Sequence, residues 1–263
     1  MFSDNFARAQ APRNLDIGLV LGGAFGAIGK HWAPFVVYLA VLVWAPNAIF
    51  QFVGTPVAPK LVSLDQIWAW YAQILLFVVP QVFILGPVFA ALVAWTTAAD
   101  ASRGPVDARA AILAVGSQFP WLVILNVLIG IAVFFGAMLL LVPGIMVLLA
   151  FYVAIPACVV EGLTPLAAIS RSRFLTRGQR WRLFGLLIVI ILVSIGFGII
   201  ASLVTMMAGL NLAVTRAPAV IVASVVLNGV STLFGAAIVG SAYVELAGIK
   251  GGGNVQQTAE VFA

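Results

Sequence analysis

Five long segments of the chain contain no Asp, Glu, Lys or Arg, and they constrain the fold more than any other feature of the sequence. They cover residues 31–59, 66–99, 110–160, 183–215 and 217–244. Because a helix rises about 1.5 Å per residue, about 20 apolar residues cross the roughly 30 Å hydrocarbon core of a bilayer. Each segment is therefore long enough to span a membrane, and segment 110–160 is long enough to span it twice.

The composition excludes a water-soluble globule. Hydrophobic residues make up 63% of the chain and charged residues only 8%, whereas a soluble domain carries about 25% charged residues to cover its surface. In lipid, a helix satisfies its own backbone hydrogen bonds. We therefore expect an all-α, polytopic membrane protein.

The sequence predicts six transmembrane helices. Two of them share segment 110–160, and we place the structural turn between them at Pro143 and Gly144, because Pro ends a helix and Gly permits a tight reversal. The predicted helices cover residues 33–54, 70–97, 119–141, 144–160, 183–209 and 217–246.

The distribution of Lys and Arg predicts the orientation of these helices. With the N-terminus inside, eleven of the 13 basic residues fall on the inner side, and only Lys60 and Arg216 fall outside. Basic residues concentrate in short cytoplasmic loops. Both termini of this multi-pass protein are therefore expected in the cytoplasm.

Polar segments bound the membrane domain. Residues 1–16 read as a cytoplasmic N-terminal tail, residues 17–250 as the six-helix transmembrane domain, and residues 251–263, rich in Gly and Gln, as a disordered cytoplasmic C-terminal tail.

A local pattern recurs at three approaches to the membrane. Gly29, Gly116 and Gly178 are each followed by two mostly polar residues and an aromatic residue. A stretch of helical character precedes each one, and two spans follow. The pattern indicates three repeats of an interfacial helix plus a transmembrane hairpin, although Gly and aromatic residues are also common where helices enter membranes. The three interfacial helices are expected at 17–28, 106–115 and 164–177.

One short segment carries five arginines and no acidic residue. It is a candidate contact for anionic lipid or phosphate, and it also has a simpler interpretation as the positive charge that fixes the orientation of the fifth span. Its arginines are Arg171, Arg173, Arg177, Arg180 and Arg182.

Two carboxylates lie at the inner ends of predicted spans. Glu161 ends the fourth and Glu245 ends the sixth. Unpaired charges are costly there, so that we expect inner-side ion pairs with nearby arginines, with a proton-relay or coupling role as the alternative. The single His31 is interpreted as a headgroup contact, and the single Cys158 as a small hydrophobic residue.

The sequence lacks the motifs of common catalytic sites. It contains no Gly-x-Ser-x-Gly, no phosphate-binding Gly-rich loop ending in Gly-Lys-Ser or Gly-Lys-Thr, and no His-Glu-x-x-His. We predict no catalytic residue, no cofactor and no metal. Polar residues inside the spans make interhelical hydrogen bonds or line a polar path; they are Asn47, Gln51, Gln73, Gln81, Asn126 and Asn228.

From Leu139 onward the chain resembles the membrane-domain family found attached to some bacterial glycerophosphoryl diester phosphodiesterases and its stand-alone relatives. The resemblance implies a six-helix inner-membrane module and no activity, because the phosphodiesterase chemistry of the fused relatives belongs to a separate soluble domain. The residues that carry it are Pro143-Gly144, Glu161-Gly162, Ala168, Ser170-Arg171-Ser172, Leu175, Gly178, Trp181, Tyr243, Glu245 and Leu246.

These features favour a non-enzymatic scaffold or accessory protein. Its arginine-rich inner face would engage anionic phospholipid headgroups or a partner protein, in a monomer or a homo-oligomer, and no nucleic acid. A small-molecule or lipid transporter is the main alternative, since repeats, kinked spans and in-membrane amides suit one. An intramembrane lipid enzyme is a third possibility.

Overall fold

The computed structural model describes residues 14–51, 64–102, 106–207 and 218–261. Within these ranges the chain is helical and contains no strand. π-Helical turns at Ala40–Trp44 and Gln81–Leu85 interrupt the α-helices. The α-helices are α1 Ile17–Lys30, α2 Trp32–Leu39, α3 Ala45–Ile49, α4 Leu64–Pro80, α5 Gly86–Ala101, α6 Ala108–Ser117, α7 Phe119–Leu139, α8 Leu141–Ala150, α9 Ala154–Glu161, α10 Pro165–Thr176, α11 Arg180–Met207 and α12 Pro218–Val261.

Six helical segments are long and apolar enough to cross a membrane, and each overlaps a predicted span. The all-α, polytopic fold is therefore confirmed. Spans 1 to 6 cover Trp32–Ile49, Ile74–Ala101, Phe119–Leu139, Val142–Glu161, Arg180–Val204 and Pro218–Lys250.

A short helix precedes spans 1, 3 and 5, close to each position that the repeat pattern predicts. These helices are α1, α6 and α10. Asp16 caps α1 by accepting a hydrogen bond from the backbone N–H of Gly18 at 2.8 Å, and Asp107 caps α6 by accepting one from Arg109 at 2.9 Å. The order of one short helix and two spans therefore occurs three times.

The prediction of the turn in the second hairpin was wrong by a few residues. The chain reverses at Leu140, which is extended with φ −167° and ψ 150°, and α8 begins at Leu141. Pro143 and Gly144 therefore lie inside the first turn of α8. A Pro is tolerated there because the first N–H groups of a helix have no intrahelical acceptor.

Gly144 has a packing role instead of a turn role. A Cβ atom at this position would lie 2.9 Å from the Cα of Ala137 on α7, and one at Gly136 would lie 3.1 Å from the Cα of Gly144. The two helices of the hairpin therefore approach each other as closely as small residues allow.

Helix α1 packs against α12 through an apolar face. Val20, Ala24 and Ala27 are buried on this face. Gly18, Gly22 and Gly26 lie on the opposite face of this helix. Gly22 and Gly26 instead face open space, with no atom within 4 Å of an added Cβ, because the bulkier apolar face supplies more contact area.

The structure describes most of the predicted C-terminal tail and little of the predicted N-terminal tail. The backbone of α12 is helical to Val261, through a segment for which the sequence predicts disorder. Gln, Ala and Glu within this segment are good helix formers, so that an existing helix can continue through it. Residues 1–13 of the predicted N-terminal tail lie outside the described residues.

Candidate functional site

The five arginines lie on two helices and the turn between them. Arg171 and Arg173 belong to α10, and Arg180 begins α11. Gly178 in the turn has a φ of 86°, a conformation that side chains with a Cβ rarely adopt. The reversal at Gly178 therefore sends the arginines toward different partners.

Arg171 forms the best-defined ion pair of this region. Its Nε donates to both carboxylate oxygens of Glu161 at 2.9 Å, and the hydroxyl of Tyr243 donates to Oε1 of the same carboxylate at 2.9 Å. Glu161 ends span 4 and Tyr243 belongs to span 6. The carboxylate thus joins two spans and α10, and the charge of Arg171 is largely compensated inside the protein.

Arg182 holds the segment that enters α1. Its Nη1 donates to the backbone oxygen of Leu15 at 2.6 Å, while the side-chain oxygen of Gln179 accepts from the backbone N–H of Leu15 at 3.2 Å. Leu15 is fully buried. Both polar groups of its backbone are therefore satisfied by the start of α11.

Arg173 and Arg177 have no carboxylate partner among the described residues. The guanidinium of Arg173 lies 5.0 Å from the centre of the Phe151 ring, within cation–π distance. Arg177 is exposed at the C-terminal end of α10. Both charges remain available to a ligand.

Arg180 lies in an apolar groove between α8 and α11. The groove has a volume of about 300 Å³. The Nε of Arg180 is buried and has no hydrogen-bond partner in the described part of the chain, whereas the adjacent Trp181 is 86% exposed. The other lining residues are Val142, Ile145, Met146, Leu149 and Phe184.

Hydroxyl groups anchor α10 to the end of α8. The Oγ of Ser172 donates to the backbone oxygen of Ala150 at 2.9 Å, and the hydroxyl of Thr176 donates to the backbone oxygen of Ser172 at 2.9 Å. Both side chains are fully buried. The carbonyl of Ala150 is free to accept because α8 ends there.

The other predicted ionisable candidates have different environments. Glu245 forms no ion pair with any described residue, in contrast to the expectation for it. His31 contacts Asp100 through Nε2 at 3.1 Å, and Lys30 also pairs with Asp100 at 3.3 Å. Cys158 is buried and its thiol donates to the backbone oxygen of Leu163 at 3.2 Å.

Three of the predicted in-membrane amides line one cavity of about 530 Å³. They are Asn47, Gln51 and Asn228, from spans 1 and 6 and the residues next to them. Asn126 instead donates to the backbone oxygen of Val82 at 3.1 Å, which joins spans 3 and 2. The side chain of Gln73 lies outside what the structure describes.

Sequence reasoning missed several residues that complete these arrangements. Tyr243, Gln179 and Asp100 each bind a residue far away in the sequence, and no local pattern marks such a partner. The position of Asp100 was itself a signal, because a carboxylate at the end of span 2 needs a positively charged partner.

Comparison of the chain with models of protein families, with characterised proteins and with solved structures returned no match. The chemistry of the site therefore rests on its own geometry.

Proposed function

We propose that the protein is a non-enzymatic membrane module that holds an anionic phospholipid at the groove of Arg180. The observation that carries this proposal is a buried guanidinium Nε without a protein acceptor, beside apolar walls. A phosphate group at the groove would compensate the charge of this guanidinium, and an acyl chain would cover the walls.

Charge complementarity favours an anionic occupant over a zwitterionic one. Arg171 is neutralised by Glu161 and Arg182 binds a backbone oxygen. Arg173, Arg177 and Arg180 form no ion pair with a described carboxylate, so that the region around Gly178 keeps uncompensated positive charge. A phosphatidylglycerol headgroup supplies a net negative charge, whereas the choline of phosphatidylcholine would add another positive charge to this region.

The exposed indole of Trp181 suits the same interpretation. Trp residues concentrate at the boundary between headgroups and hydrocarbon, where an apolar ring and a polar N–H are both solvated. Trp181 lies on the rim of the groove beside Arg180. Headgroup and acyl chain would therefore meet the protein at adjacent residues.

The decisive experiment is native mass spectrometry of the protein in mixed nanodiscs of phosphatidylglycerol and phosphatidylcholine with identical acyl chains. We expect wild-type protein to retain phosphatidylglycerol preferentially. Arg180→Gln should weaken that preference about tenfold, equivalent to about 1.4 kcal/mol. The triple variant of Arg173, Arg177 and Arg180 to Gln should abolish it.

Arg109→Gln is the matched control. Arg109 is an exposed arginine of α6, and its removal lowers the net charge by the same amount without touching the groove. An equal loss of preference in this control, or an unchanged preference in Arg180→Gln, would contradict the proposal.

We also propose a scaffold or accessory role for the protein in a bacterial inner membrane, with both termini in the cytoplasm. It is supported by the bias of basic residues and by the resemblance to membrane domains of phosphodiesterases. Native mass spectrometry of protein released from its own membrane identifies a protein partner or a homo-oligomer, if either binds.

A transporter is the alternative, and the cavity between spans 1, 5 and 6 favours it. A flux assay in sealed vesicles separates the two functions, because a scaffold moves no solute.

A further inference from the structure

The cavity of about 530 Å³ lies between spans 1, 5 and 6 and is distinct from the Arg180 groove. We call it the polar cavity. Among the described residues, its walls carry neutral amide and hydroxyl groups and no charged side chain. The polar lining residues include Asn47, Ser194, Ser224, Asn228, Ser231 and Thr232.

Several of these side chains are already oriented by the protein. Asn47 donates to the backbone oxygen of Val43 at 2.7 Å, within the π-helical turn of span 1. The hydroxyl of Ser231 donates to that of Ser194 at 3.3 Å, which links spans 6 and 5. Hydrogen bonds within the protein therefore orient these polar side chains.

Asn228 is the exception, because its side-chain amide makes no hydrogen bond to any described residue. It is exposed at the cavity on span 6. An amide that lacks a partner is costly inside a membrane. A ligand that offers hydroxyl or carbonyl groups would remove this cost.

A second, mainly apolar cavity of about 400 Å³ adjoins the polar one. Ile190, Thr232 and Gly235 line both. The apolar cavity includes Tyr152, whose hydroxyl is buried and has no hydrogen-bond partner in the described chain. The two cavities therefore share a wall at these three residues, with neutral polar groups on one side and mainly hydrocarbon groups on the other.

We infer that these two adjoining cavities together bind a neutral glyceride lipid, with its free hydroxyl in the polar cavity and an acyl chain in the apolar one. The hydroxyl would meet the side-chain amide of Asn228, and the acyl chain would lie against the apolar walls of the second cavity. A charged headgroup is disfavoured because the described residues of the walls hold no counter-charge and desolvation of an ion is expensive. A free sugar is disfavoured because half of the space is apolar.

The test uses the full-length protein in phosphatidylcholine nanodiscs doped with dioleoylglycerol, followed by native mass spectrometry. Wild-type protein should retain dioleoylglycerol above the background of empty discs. Asn228→Leu should lower this retention about tenfold, the loss expected for one hydrogen-bonding group. Gly235→Leu should lower it as well, by narrowing the junction of the two cavities.

Ser202→Ala is the matched control, because Ser202 lies on span 5, donates to the backbone oxygen of Gly198 and does not line the cavity. Thermal unfolding checks that each variant folds, and Asn228→Leu should not unfold earlier, since leucine suits lipid better than an unpaired amide.

Outcomes of this test are separable from those of the Arg180 proposal. Asn228→Leu should leave phosphatidylglycerol retention unchanged, and Arg180→Gln should leave dioleoylglycerol retention unchanged. The inference is overturned if wild-type protein holds no dioleoylglycerol above background. It is equally overturned if folded Asn228→Leu and Gly235→Leu both retain it like wild type.

Discussion

The hydroxyl of Tyr243 lies 2.9 Å from Oε1 of Glu161, a residue 82 positions away in the sequence. The same carboxylate accepts from Arg171, so that spans 4 and 6 and helix α10 meet at one group. The side chain of Glu161 is 26% exposed, and this partial burial strengthens each of its hydrogen bonds relative to water.

Glu161→Gln should destabilise the folded protein by about 1–3 kcal/mol, because hydrogen bonds to a charged group are lost and Arg171 loses its counter-charge. Unfolding in mixed micelles measures the change. Glu245→Gln is the control, since Glu245 has no described ion-pair partner, and it should stay within about 0.5 kcal/mol of wild type. Equal effects of the two changes would contradict the assignment.

Gly144→Ala should destabilise the second hairpin by about 1–3 kcal/mol, because the new Cβ would lie 2.9 Å from the backbone of Ala137 and force α7 and α8 apart. Gly196→Ala is the control within span 5, where no atom lies within 4 Å of the added Cβ. It should be neutral or slightly stabilising, by up to about 1 kcal/mol. The measurement is again equilibrium unfolding, and a stable Gly144→Ala would refute the close approach.

Arg182→Ala combined with Gln179→Leu should release the segment before α1, since both backbone hydrogen bonds of Leu15 would be lost. Hydrogen exchange at the amide of Leu15 should become faster by about tenfold or more, consistent with about 1–3 kcal/mol of lost protection. Exchange within α7 serves as the internal reference and should not change. Unaltered protection at Leu15 would show that other contacts hold this segment.

Asp100→Asn should weaken the contact between the start of span 1 and the end of span 2. It removes the charge that pairs with Lys30 at 3.3 Å and contacts His31 at 3.1 Å. Because Lys30 is largely exposed, the expected loss of stability is modest, about 0.5–1.5 kcal/mol. Asp65→Asn, at an exposed position of α4, is the control. If Asp65→Asn lowered the free energy of unfolding as much as Asp100→Asn does, the result would argue against the Lys30–Asp100 pair.

The predicted orientation can be tested by cysteine labelling in intact cells. The native Cys158 is buried, so that it adds little background. A membrane-impermeant maleimide should label Asp65→Cys from outside and should label Ser102→Cys only after the membrane is opened. The reverse pattern would place both termini on the outer side.

The six membrane spans could be predicted from the sequence because they depend on local properties. A charge-free segment of about 20 apolar residues dictates a span by its length alone, and an Asp before an apolar run marks a helix start, as Asp16 does for α1. The hairpin turn near Leu140 was missed by a few residues, since Pro143 is as compatible with the first turn of a helix as with the end of one.

The composition of the sites depended on the tertiary structure. The sequence determined that five arginines cluster after span 4, but only packing decided which of them are neutralised, because Glu161, Tyr243 and Leu15 reach them across long stretches of chain. The in-membrane amides were likewise evident by composition. The convergence of Asn47, Gln51 and Asn228 on one cavity was not evident, since the rotation of each helix about its axis is fixed by contacts with neighbouring helices and leaves no mark in the local sequence.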